Sequence, residues 1–133
     1  MLAVILAEDD GFFRSVSHRC RLRRFRVVRY RDPVKLADNL PELRPDLLVA
    51  RQEDFPLHWE ALAAQVALSP NLARTAFCLF ARTQAACPRL PWKDFAAIGE
   101  AEFWADTPEG QGRIFSEYLK ALPSRGSDSS NSS

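Results

Sequence analysis

An α/β architecture, a doubly wound parallel sheet of five strands with helices on both faces, follows from three features of the chain. Continuous apolar runs at 2–6, 47–50 and 76–80 lack the alternation of half-exposed strands, so they read as strands covered on both faces. Stretches with apolar residues every three or four positions separate them, and parallel strands need such crossovers. Turn formers and helix starters, among them Asp32-Pro33, Pro45-Asp46 and Ser69-Pro70-Asn71, fall at the joints.

Leu2-Ala3-Val4-Ile5-Leu6 forms the first strand, closed by the acidic cluster Glu8, Asp9 and Asp10. The spacing of Phe13, Val16, Ser17 and Cys20 predicts a helix over 11–23, with acids at its start where the helix dipole favours them. Residues 26–30 form a second strand, placed toward a sheet edge by Arg26 and Arg29. Asp32 caps a short helix with Pro33 at its first position, and Pro41 stops it at Leu40. The third strand opens after Pro45-Asp46 and ends on Arg51. In an open α/β sheet, the carboxyl end of a strand faces the ligand crevice.

A helix over 57–68 turns Trp59, Leu62, Ala63 and Val66 inward, and residues 75–81 form the fourth strand. The prolines within 84–91 predict a loop. A fourth helix is expected over 92–98, ended by Gly99, with the last strand at Glu102-Phe103-Trp104. Thr107-Pro108-Glu109 opens a final helix carrying Ile114, Phe115, Tyr118, Leu119 and Leu122, its first turn weakened by Gly110 and Gly112. The folded domain therefore spans 1–122, and the Ser-rich stretch 123–133 reads as a disordered tail or linker.

With 47% hydrophobic and 26% charged residues over 133 positions, the chain can bury one ordinary core and is not of the disordered class. Its net charge of +1 gives no general attraction to nucleic acid. Cys20, Cys78 and Cys87 are odd in number and lack metal-ligand spacing, which fits a reduced, cytoplasmic setting. The first apolar run is too short for a membrane span or a signal peptide. His18 and His58 have no ligand-type neighbours at metal spacing, and no Gly-rich phosphate loop or nucleophile–base pair is present, so neither a metal, a cofactor nor an enzyme is expected.

Val4-Ile5-Leu6-Ala7-Glu8-Asp9-Asp10 followed by Phe13-Arg14, together with Arg44-Pro45-Asp46-Leu47-Leu48-Val49, resembles the response-regulator receiver domains. Arg26-Val27-Val28, Leu79-Phe80-Ala81-Arg82 and Thr107-Pro108-Glu109 extend the likeness over roughly 1–122. The resemblance implies a flavodoxin-like fold. It also implies a phosphorylation pocket that this chain has lost. Glu8 and Asp9 stand at the acidic metal-binding pair, Arg51 at the aspartate nucleophile, Phe80 at the Thr/Ser and Trp104 at the Lys. A guanidinium cannot accept a phosphoryl group, so the expectation is a degenerate pseudo-receiver that works without phosphorylation.

Two readings of Arg51 follow: an ion-pair network with Glu8 and Asp9 that replaces a metal's charge, or a side chain pointing to solvent. Phe80 and Trp104 either fill the vacated pocket or expose an aromatic surface. By the same resemblance, partners dock on the last three elements, represented by Trp92, Phe95, Ala101 (near the family's switch aromatic) and Tyr118, with the first helix as a secondary face. Between Gly11 and Arg31 the chain holds eight arginines and no acid, and Arg14, His18 and Arg21 share one helical stripe. That basic face is a solvated surface, a site for an acidic protein, or a site for nucleic acid or lipid.

The functional expectation is a protein–protein interaction module in a signal-transduction pathway, with self-association possible. The alternative is a nucleic-acid-associated module that uses the Arg-rich face of residues 14–31.

Overall fold

In the computed structural model of the chain, the described residues are 1–92, 94–103 and 113–122. Five strands, β1 (Leu2–Leu6), β2 (Arg26–Tyr30), β3 (Leu47–Arg51), β4 (Ala76–Ala81) and β5 (Phe95–Gly99), pair in parallel in the order β2-β1-β3-β4-β5. This is a flavodoxin-like sheet, and the order reverses between β1 and β3. The helices are α1 (Asp10–Leu22), α2 (Pro33–Leu43), α3 (Trp59–Leu68), a single turn α4 (Glu100–Phe103) and α5 (Arg113–Ala121).

Side-chain alternation along the central strands divides the core into two layers. Ala3, Ile5, Leu47, Val49, Cys78 and Phe80 face α1 and α5, where they meet Phe12, Val16 and Phe115. Val4, Leu6, Leu48, Ala50, Phe77 and Leu79 face α2 and α3, where they meet Leu36, Leu40, Trp59 and Leu62. Because both sets are buried, the strand sequences read as continuous apolar runs.

Local chemistry fixes the helix ends. Asp9 caps α1 by accepting the Phe12 N–H at 2.7 Å, and Asp32 caps α2 by accepting from Val34 and Lys35. At the other end of α1, Phe25 N–H donates to the Cys20 carbonyl and Arg24 N–H to that of Arg21, a Schellman closure. The left-handed position in it is held by Arg24, φ 66°, where glycine is usual; Arg44, φ 44°, ends α2 in the same conformation. Each costs roughly 1–2 kcal/mol relative to a glycine there.

The structure departs from the sequence reading in three places. Pro41 does not stop α2, which runs on to Leu43. A proline at 41 cannot donate to the Ala37 carbonyl, and the Gln65 side chain from α3 supplies the missing donor at 2.8 Å. The segment expected to be the fourth helix is β5 itself, while Glu102 and Phe103 belong to α4 rather than to a strand. Phe95-Ala96-Ala97-Ile98 is an apolar run too short to have a readable period, and it borders β4 from Phe77 to Ala81. Consequently β4 and β5 are joined by a 3-10 turn at Gln84–Ala86 and irregular chain, with no α-helix among the described residues. Trp104 and the expected helix start at Thr107 lie outside the described residues, as does the stretch 123–133.

Candidate functional site

The crevice at the carboxyl ends of β1 and β3, beside the strand-order reversal, is where an open α/β sheet binds its ligand. Arg51 ends β3 there with its side chain only 19% exposed. Its Nε lies 3.0 Å from both Glu100 carboxylate oxygens, and its Nη1 donates to Asp54 Oδ1 at 2.9 Å. Glu53 stands 3.7 Å from Nη2 and is itself bound by Arg82 at 2.9 Å. The guanidinium carbon sits 5.5 Å from the Phe12 ring centre, a cation–π contact. Burial opposes the charge on Arg51, but the hydrogen bonds and attraction of Glu100, then of Asp54, outweigh it and hold its pKa above the ordinary arginine value.

The partners are not those expected. Arg51 pairs with Glu100, Asp54 and Glu53 rather than with Glu8 and Asp9, whose side chains belong to exposed residues. The connection to the β1–α1 turn runs instead through Asp54, whose Oδ2 accepts from the backbone N–H groups of Glu8 and Asp9 at 2.9 and 3.3 Å. Asp9 is occupied as the α1 cap. Asp54 was visible in the sequence as a carboxylate three residues after Arg51. Glu100 was not, because placing a helix over 92–98 moved it away from the sheet's carboxyl edge.

A second arginine ties the rim together. Arg29 donates to the carbonyls of Ala7 and Glu8, pairs with Asp10 at 2.8 Å, and covers the Phe13 ring at 4.6 Å. Arg31 reaches the same Asp10 at 3.0 Å. Arg29 foremost, then Arg31, lowers the pKa of Asp10. These two arginines are therefore part of the rim and not of a free basic face.

Of the other predicted residues, Phe80 is fully buried among Phe12, Phe103 and Phe115, with ring centres 5.0 to 5.3 Å away. It fills the core and exposes no aromatic surface. Trp92 and Phe95 are half-buried against Phe77, with Phe95 stacked 6.2 Å from Trp59, so they cover the β4–β5 edge where a helix was expected. Ala101 is exposed on α4, not in a strand, and its N–H binds the Arg82 carbonyl. Tyr118 stacks on Phe115. Arg14, His18 and Arg21 are exposed on α1, as their spacing requires.

Among the described residues, no group of three or more His, Cys, Asp or Glu side chains is arranged to hold a metal ion. Burial pushes the Cys20 thiol up to about 12 and raises Cys78 well above 9.0, so neither supplies a thiolate. Among the described residues, grooves also lie away from Arg51. One of about 190 Å³ lies between α2 and α3, and one of about 480 Å³ lies beside Cys87, Leu90 and Phe95. No described helix is long and apolar enough to cross a membrane.

Comparison with known proteins relates the chain to a family and to a bacterial protein. The family model TP_0454_N, an N-terminal domain, matches residues 1–84. An uncharacterized protein of Treponema pallidum (strain Nichols) is 34% identical over 62 residues. That stretch is 47% of this chain and 27% of the relative, so the chain aligns with about a quarter of that protein's length.

The family so matched is not the response-regulator receivers, and the assignment to them is corrected: what is shared is the fold. The residues that carried the likeness have local structural duties. Asp9 caps a helix, and Asp46 accepts the Leu2 N–H at 2.8 Å. The Pro45 carbonyl binds the Thr75 hydroxyl at 2.6 Å.

Proposed function

We propose that this chain, which belongs to the TP_0454_N family of N-terminal domains, is a non-catalytic interaction domain that regulates through contact with another protein. The observation that carries the reading is the state of the crevice beside β1 and β3. Arg51 and three carboxylates occupy it, the phenyl rings of Phe12 and Phe80 lie beneath, and the rim is held by Asp54 and Arg29. A nucleotide or metal entering there would first have to displace the guanidinium from two nearly buried carboxylates, Glu100 and Asp54. Among the described residues, neither a nucleophile–base pair nor a thiolate stands at its edge. A domain whose ligand crevice is closed by its own side chains keeps its surfaces for docking. That Cys20, Cys78 and Cys87 form no disulfide supports a reducing, cytoplasmic setting.

Thermal denaturation with and without Mg²⁺, Mn²⁺, ATP, flavin mononucleotide, NAD and acetyl phosphate tests the reading. A ligand that binds the native state raises its stability by mass action, about 2.7 kcal/mol at a hundredfold excess over Kd. The expected result is an unchanged midpoint with each. A saturable rise that disappears in Arg51→Met would overturn it.

A further inference from the structure

The opposite end of the sheet, where the strands begin, carries arginines of a different kind. Arg21, Arg23 and Arg24 close α1, Arg26 opens β2, Arg44 follows α2, and Arg74 precedes β4. All six are exposed, and none makes an ion pair with a described residue. They share one end because the strands are parallel and β2, β1, β3 and β4 are neighbours, with Leu2 beside Arg26 and Asp46 hydrogen-bonded to Leu2. Of the acids at this end, Asp46 is engaged by the Leu2 N–H, Asp94 precedes β5 at the far side from α1, and Glu42 is exposed in the last turn of α2.

Two of these arginines are held at positive φ, one from each face of the sheet: Arg24 after α1 and Arg44 after α2. Glycine would relieve both, and neither guanidinium is used for an internal ion pair. The helix ends need the left-handed backbone but not an arginine on it, so these two guanidinium groups are available to something outside the fold. Leu22 lies among these cations and is 61% exposed. An exposed leucine flanked along the chain by Arg21, Arg23 and Arg24 has the composition of a docking centre, an apolar anchor with a polar rim.

We infer that this basic end binds an acidic segment of a partner protein, with carboxylates set against Arg21, Arg23, Arg24, Arg26 and Arg44 and an apolar side chain over Leu22. The inference rests on the interaction-domain reading and names the surface and the partner's chemistry. An acidic protein is favoured over a polyphosphate for two reasons. A phosphate backbone gains nothing from an exposed leucine, and a net charge of +1 leaves the domain as a whole without the positive field typical of nucleic-acid binders.

The test uses the full 133-residue chain and a synthetic peptide of aspartate and glutamate with one central leucine, read by fluorescence anisotropy and amide NMR shifts. Saturable binding that weakens with salt is expected, with shifts centred on residues 21–26 and 44. Arg24→Gly/Arg44→Gly should weaken the peptide by about tenfold or more while melting no lower than the parent, since glycine fits both backbone sites. Leu22→Ser should weaken it as well.

No binding at millimolar peptide would overturn the inference. So would affinity unchanged by Arg24→Gly/Arg44→Gly, or shifts centred on Arg51 and Glu100. Tighter binding of a single-stranded oligonucleotide, or of vesicles of phosphatidylcholine with phosphatidylglycerol, would replace the acidic protein by a polyphosphate or a lipid surface. The closed-crevice reading is scored separately by the metal and nucleotide titrations, so either conclusion can fail while the other stands.

Discussion

Arg51 holds a position that no neutral residue of its size could fill. Glu100 and Asp54 have side chains only 7% and 10% exposed, so the guanidinium is a counter-charge that water cannot readily replace, even though Asp54 also accepts two backbone N–H groups. Removing one partner of such a pair costs more than the pair contributes, because the remaining charge is left desolvated. Arg51→Met should therefore destabilise the domain by about 3 kcal/mol in urea titrations at neutral pH. Arg51→Lys should lose less, keeping the charge but not the fork that reaches Glu100 and Asp54 together. Arg51→Met/Glu100→Leu should recover part of the loss, since one of the two carboxylates that faced the guanidinium goes with it. A cost for Arg51→Met below about 1 kcal/mol would place the network with exposed ion pairs and open the crevice to solvent. The arginine's position at the end of β3 was legible from Pro45-Asp46 and the apolar run after it. Of its partners, Asp54 was in view three residues on, but Glu100 was not, because it arrives from 49 residues away.

The elements themselves were read with uneven success, and the reason is the length of the pattern. Helix α1 has thirteen residues, an acidic cap and a clear apolar stripe, and the sequence alone locates it within a residue or so. Segment 95–99 has four apolar residues before a glycine, and the same letters serve a buried strand or one face of a helix. Pro41 misled for another reason: a proline signals a break only when nothing replaces the lost donor. Here Gln65 donates to Ala37, the carbonyl that a residue with an N–H at 41 would have used. The two effects should therefore be coupled. Gln65→Ala is expected to cost about 1–2 kcal/mol in the parent chain, because it strands a half-buried carbonyl. In Pro41→Ala, where the helix bond can form, the same change should cost markedly less. A double-mutant cycle that measures this difference checks the account, and strict additivity would refute it.

At the scale of the molecule, the family match ends at residue 84, but the core does not. The layer on the α1 face is completed by Ile98, Phe103, Phe115 and Leu119, all buried and all beyond that point. Phe80 shows the dependence most directly. Phe12, inside the matched stretch, covers one side of its ring, while Phe103 and Phe115 cover it from outside the stretch. On the other face Phe95 stacks on Phe77 at 5.8 Å. Burying a large apolar side chain contributes about 1.5–3 kcal/mol, so the four residues together account for about 6–12 kcal/mol. That is comparable to the whole stability of a domain, typically about 5–15 kcal/mol. A chain ending at residue 84 should consequently show no cooperative unfolding transition and should bind the dye ANS through its uncovered strands. A chain ending at Leu122 should unfold at the parent midpoint with the parent urea slope, since α5 and its two buried residues remain. A sigmoidal transition in the shorter chain would mean that β1 to β4 with α1 to α3 form a self-sufficient unit, and that β5 and α5 are an addition to it rather than part of its core.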